Sequence, residues 1–190
     1  MTAISESKSI QLILEQFHQT RNRTLELVKT LEKDDFMVQT AFYMSPPKWH
    51  IGHVSWIYEA IMSKIDSNYE FYSKEYSQYL NSYYQQFGEP NDKGKRGTAS
   101  RPTLEQIFQY FNTINQRVAN FIQSKKLSQD EIRLIIMGFH HECQHQELLV
   151  YDLQHLLADQ YRPTKKNERP KPSQAEQKSI KINGGLYTMG

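Results

Sequence analysis

LSQDEIRLIIMGFHHECQHQELLVYDLQHLLADQ, residues 127–160, is the stretch whose reading decides the fold. Ser128, followed three residues later by Glu131, is a capping box and marks a helix start. The spacing predicts one long helix from there to about Gln160, ended by YRP, where Pro163 forbids continuation. That helix carries three of the chain's seven histidines within six positions: His140, His141 and His145. His141 and His145 are four apart, so they share a helix face.

Working outward, residues 6–33 read as another helix. Its stripe is Ile10, Ile13, Leu14, Phe17, Leu25, Val28 and Leu31, with Ser5 or Ser7 as its cap. In FMVQTAFYMSPPK, Pro46 and Pro47 stop any helix before them and begin the next, which is predicted to run to about Ser63. YEFYSKEYSQYLNSYYQQF carries six tyrosines in nineteen residues. It reads as two short helices ending at Gly88, with packed rings and wet hydroxyls. EPNDKGKRGTASRP, residues 89–102, is a polar loop. Thr103 caps a third long helix whose apolar face is Leu104, Ile107, Phe108, Phe111, Ile114, Val118 and Ile122.

Four long helices with medium connections predict an all-α, four-helix bundle over residues 1–162. The tail differs. Residues 163–178 are charged, hold three prolines with no large apolar residue, and read as a linker. In residues 179–190, Ile180 and Ile182 alternate with polar residues before Gly184-Gly185 and Leu186-Tyr187, a strand-and-turn signal. Two strands alone are not stable in water. This end is expected to open a second domain that the chain does not contain.

Composition narrows the function classes. The chain has 190 residues, 23 basic and 21 acidic, for a net charge of +2. That balance points to no nucleic-acid partner and no membrane surface. No apolar run approaches the ~18 residues of a membrane span, and MTAISESKSI lacks the apolar core of a signal peptide. The single cysteine, Cys143, excludes an internal disulfide. A cytoplasmic protein is expected.

The histidines can hold a metal only if a third ligand joins His141 and His145. His140 lies roughly 100° from His141 around the helix, and Cys143 about 200° from each member of the pair, so neither shares the face. His155 is about 15 Å further along the axis. His18 is a lone histidine in the first helix. SPPKWHIGHVSWIYE, residues 45–59, supplies His50 and His53 on the second predicted helix, His53 at helical spacing from Trp49 and Ile57. Bundles build metal sites from facing helices. One histidine from this helix plus His141 and His145 would give three nitrogens, a set suited to Fe(II), Zn(II), Ni(II) or Cu(II) rather than Mg(II) or Ca(II).

SPPKWHIGHVSWIYE and HHECQHQELLVYDLQHLLA together resemble the DinB-like domain. More specifically, they resemble the amino-terminal domain of the sulfoxide synthases of ergothioneine and ovothiol biosynthesis. RNRTLELVKTLEKDDFMVQ, YLNSYYQQFG and KRGTASRPTLEQI are similar in the same order, and IKINGGLYTMG resembles the start of the formylglycine-generating-enzyme-like domain that follows there. The resemblance implies a mononuclear non-heme Fe(II) enzyme. It uses dioxygen to join a cysteine-type thiol to a histidine-derived imidazole as a sulfoxide. It implies His53, His141 and His145 as the iron ligands, leaves His50 outside the ligand set, and offers Arg96 and Arg101 as substrate-binding residues, a guanidinium fork for a carboxylate.

In that family the second domain completes the pocket, so the isolated chain is expected to bind metal and to be inactive by itself. A homodimer, or a separate chain carrying the second domain, would be its protein partner. Zn, Ni or another divalent ion could occupy the isolated site. Two other readings compete: a stand-alone DinB-like metal-dependent thiol transferase, and a non-enzymatic, degenerate bundle.

Overall fold

The computed structural model describes residues 3–82, 92–158 and 179–188. Its long helices are α1 (Ala3–Val28), α2 (Pro47–Ile65), α4 (Leu104–Ser124) and α5 (Gln129–Leu157), with a short α3 (Lys74–Leu80) between α2 and α4. Lys33–Met37 and Lys93–Thr98 form 3-10 helices. No strand occurs among the described residues. The all-α bundle expected from the sequence is what forms.

The starts of three helices follow their sequence signals. Pro46 and Pro47 open α2. At α4, the Thr103 hydroxyl accepts from the Gln106 N–H while the Gln106 side chain accepts from the Thr103 N–H. Ser128 and Glu131 do the same for α5.

The centre of the fold is α2. Every residue from Pro47 to Met62 is buried. The helix is enclosed by α4, α5, α3 and the Lys33–Met37 turn, and α1 packs across α5 and α4. The helix is buried on every side although it carries Lys48, His50, His53, Ser55 and Glu59, so these polar groups must find partners inside the protein. Two glycines let its neighbours approach. A Cβ on Gly52 would stand 2.6 Å from Leu80 Cδ2, and one on Gly138 of α5 would stand 2.9 Å from Tyr58 Cε1 and from Ile61 Cδ1.

A buried polar network ties the long helices together. Glu142 of α5 is fully buried and accepts from Arg21 Nη1 at 3.2 Å, from Tyr58 OH at 2.9 Å and from the Thr24 hydroxyl. Arg21 also donates to Asn115 Oδ1 of α4 at 2.6 Å, and to Ser55 Oγ at 2.7 Å and the Val54 carbonyl at 3.3 Å on α2. Its guanidinium carbon lies 3.6 Å from the Phe111 ring centroid.

Several expectations are corrected. Helix α1 ends at Val28, five residues before the expected end, because the Leu31 N–H turns back to the Val28 carbonyl. The chain then winds through Lys33–Met37 and sends Phe36 into the core. Ser5 and Ser7 lie inside α1 and do not cap it. Of the six clustered tyrosines, Tyr69, Tyr72, Tyr76 and Tyr79 are half-buried as expected and the other two lie outside the described residues, but the hydroxyls do not all stay wet. Tyr69 donates to the buried Glu59 carboxylate, as does Tyr110 of α4, and Tyr79 donates to the Arg96 carbonyl. The expected helix end at Gly88, that of α5 at Gln160 and the linker 163–178 lie outside the described residues. Residues 179–188 bend at Gly184-Gly185 but form no strand; a lone extended segment has no ladder partner. Ile180, Ile182, Leu186 and Tyr187 there are exposed.

Removing one member of a buried ion pair strands the other charge, at a cost of about 3–5 kcal/mol. Arg21→Met and Glu142→Leu should each lower stability by about that much in urea denaturation. The double variant should lose at least ~2 kcal/mol less than the two single losses added together.

Candidate metal centre

The structure brings His53, His141 and His145 together. One ring nitrogen from each lies within 4.8 Å of the others. The ring centroids are 4.4 Å apart for His53–His145, 4.6 Å for His141–His145 and 5.1 Å for His53–His141. His53 projects from the buried α2; the other two face it from adjacent turns of α5.

Each imidazole has a defined setting. His53 Nδ1 is 2.6 Å from the Leu80 carbonyl oxygen. A carbonyl only accepts, so Nδ1 carries the proton and Nε2 keeps the free lone pair. Trp49 stacks on the His53 ring at 4.4 Å and 13°, and Trp56 lies 5.8 Å away at 23°. Both indoles are fully buried, which keeps water off that side of His53. His145 Nδ1 meets His50 Nδ1 at 3.1 Å. His141 Nδ1 is buried with no hydrogen-bond partner among the described residues.

All three rings resist protonation. Burial pushes His141 down to about 4. Burial, then the neighbouring His141, holds His53 well below the usual histidine range. Burial, then the neighbouring His53, His50, His141 and Arg96, pushes His145 down as well. Neutral imidazoles are the form that binds metal.

The set fits a divalent cation. Nitrogens bound at about 2.1 Å around a tetrahedral ion stand about 3.4 Å apart, a small side-chain adjustment from the spacing seen. An orphaned buried ring nitrogen needs a partner, and a cation close by can satisfy its ring. Three protein ligands leave positions open for substrate, and His141 and His145 are only partly buried, so the centre is reachable from outside.

The remaining candidates separate. Arg96 is buried, with its guanidinium carbon 3.4 Å from the Trp49 ring centroid and donor bonds to Ser45 Oγ at 2.8 Å and Ser82 Oγ at 2.9 Å. Arg101 is exposed and donates to the Ser100 carbonyl, so the two arginines occupy different surroundings. Lys48 Nζ, bonded to the Ala99 and Pro102 carbonyls, pins the loop that carries them to α2. His18, His140 and His155 are exposed, as is Cys143. Cys143 borders a groove with Arg23, Leu27, Gln146, Glu147 and Val150.

Residues 16–149, from the middle of α1 through both α5 histidines, match the DinB superfamily. The chain belongs to the DinB superfamily. No curated protein matches it. Among the described residues of this DinB-superfamily chain, no helix is long and apolar enough to cross a membrane.

Sequence reasoning missed Asp152. Its Oδ2 lies 2.9 Å from His50 Nε2 and accepts the Ser45 N–H at 3.0 Å. The signal was available: Asp152 is seven residues after His145, two turns along the same face.

Two predictions follow from this geometry. Protein prepared without oxygen and loaded with Fe(II) should bind one equivalent, and His53→Ala and His141→Ala should abolish stoichiometric binding while helical circular dichroism is kept. Binding indifferent to both substitutions would leave a bundle whose histidines merely pack. The second concerns the metal-free protein and acid. Unfolded His141 takes up a proton near 6.5 and folded His141 only near 4, so the unfolded chain binds more protons between those values. Stability is therefore full above about pH 6.5 and falls as pH drops, by about 2 kcal/mol at pH 5 from His141 alone. Urea midpoints at pH 7 and pH 5 measure it.

Proposed function

We propose that this chain is the metal-holding domain of a non-heme Fe(II), dioxygen-dependent sulfoxide synthase. The enzyme would join a cysteine-type thiol to a histidine-derived imidazole, as in ergothioneine and ovothiol biosynthesis. The observation that carries the reading is the convergence of His53 with His141 and His145. These are the residues that the resemblance in SPPKWHIGHVSWIYE and HHECQHQELLVYDLQHLLA implies as iron ligands. When bound, Fe(II) would supply a redox centre with open positions for thiol and dioxygen.

The chain's own residues prepare that centre. His53, held by the Leu80 carbonyl and flanked by Trp49 and Trp56, presents a fixed lone pair. Arg96 places a permanent cation beside the histidines, and a guanidinium suits a substrate carboxylate. It donates to the hydroxyls of Ser45 and Ser82. The half-open side at His141 and His145 leaves closure to a further domain, and catalysis needs that closure to position reactants and exclude water. The domain tested alone is therefore expected to hold iron and form little or no sulfoxide.

A second reading is favoured by one observation: the superfamily match lies wholly inside the bundle. On that reading the domain is a metal-dependent thiol transferase in which a divalent ion activates a thiol. One experiment separates the two. Metal-loaded protein is given a thiol with a histidine derivative and dioxygen, or a thiol with an electrophile under nitrogen, and products are read by mass spectrometry. Sulfoxide formed only when a formylglycine-generating-enzyme-like domain is added supports the synthase. Thioether formed without dioxygen supports the transferase and overturns the synthase.

A further inference from the structure

His50 lies outside the three-histidine set, yet it is almost wholly buried and both of its ring nitrogens are engaged. Nε2 is 2.9 Å from Asp152 Oδ2, and Nδ1 is 3.1 Å from His145 Nδ1. The same Oδ2 accepts the Ser45 N–H at 3.0 Å. An ionised carboxylate only accepts, so His50 Nε2 must carry its proton. A neutral imidazole has one N–H, which leaves His50 Nδ1 as an acceptor. The hydrogen facing it must then sit on His145 Nδ1. The free lone pair of His145 is left on Nε2.

We propose that Asp152 and His50 are positioning residues that lock His145 in the tautomer and ring orientation needed to bind a metal through Nε2. This inference rests on the metal-centre reading above. The chain of bonds runs Asp152–His50–His145. Asp152 is itself held by the Ser45 backbone, and Ser45 Oγ accepts from Arg96. His50 is not a fourth ligand, because neither of its nitrogens is free. A carboxylate acting through an imidazole also makes the ligand more basic, as outer partners of metal-bound histidines do. His53 has a carbonyl in this role and His141 has no partner there among the described residues, which leaves His145 as the ligand whose outer partner ends in a carboxylate.

Long-range proton–nitrogen correlation of metal-free protein labelled with 15N-histidine reads the tautomers directly. The expected pattern is His145 protonated at Nδ1 and His50 at Nε2. The opposite pattern on either ring overturns the proposal, whether or not the protein binds metal. Co(II) affinity, by chelator competition, supplies the second readout. Asp152→Ala and His50→Leu should weaken binding about 10–100-fold and shift the visible Co(II) bands. His50→Asn, whose side-chain oxygen can accept from His145 Nδ1–H, should recover part of the loss. Affinity and bands unchanged in both Asp152→Ala and His50→Leu would overturn the assignment. Failure of the wild type itself to bind Co(II) would instead sink the metal-centre reading, and the tautomer pattern would still decide this one.

Discussion

The buried pairing of Arg21 with Glu142 is the constraint on which the rest of the fold hangs. A carboxylate with no exposure to water is tolerable only if its lone pairs are met, and three donors from α1 and α2 meet them. The pair's further bonds to Asn115 and Ser55 extend it to α4 and α2. Replacing such a network by apolar residues of similar volume often costs little. Its value here is geometric. Glu142 follows His141 directly, so fixing Glu142 against Arg21 sets the rotation of α5 about its own axis. His141, about 100° away, is then carried toward α2. Gly138, one turn earlier, lets α5 come close enough for the rings to meet His53.

Much of this was legible in the sequence because it depends on local pattern. Proline pairs and capping boxes mark helix starts through backbone hydrogen bonding that needs no tertiary context. The i, i+4 spacing of His141 and His145 fixes their shared face before any packing is known. The sandwich of His53 between Trp49 and Trp56 likewise follows from residues four before and three after it on one helix.

What was not legible depends on long-range neighbours. Arg21 stands four residues from both Phe17 and Leu25, on the apolar stripe, and Arg23 does not; what the sequence does not show is that Glu142, Asn115 and Ser55 arrive to meet it. Arg96 and Arg101 look alike in KRGTASRP, yet the turn at Lys93–Thr98 buries one against Trp49 and leaves the other in water. The tyrosine hydroxyls were expected to stay wet, and nothing local marks Glu59 as a buried acceptor. In the fold, Tyr69, Tyr110 and the Tyr72 backbone converge on it, and Arg117 lies 3.6 Å away. The end of α1 was misplaced for a related reason. Its stripe continues in sequence to Leu31, but burying Phe36 required the chain to turn first.

Charge sets the chemistry this centre can favour. Three neutral imidazoles bring no negative charge to a bound dication. Asp152, the acid linked to the set, is separated from it by His50. A dication held by imidazoles alone lacks the compensation that a carboxylate ligand would give. The open positions therefore favour an anion, and a thiolate is a soft anion that Fe(II) or Zn(II) binds well. On either proposed reading, a bound metal would lower the pKa of a thiol, so a thiol substrate would bind deprotonated. Thiolate capture is common to the synthase and the transferase readings. What divides them is the second reactant, and the partly open side at His141 and His145 is where that reactant must be supplied.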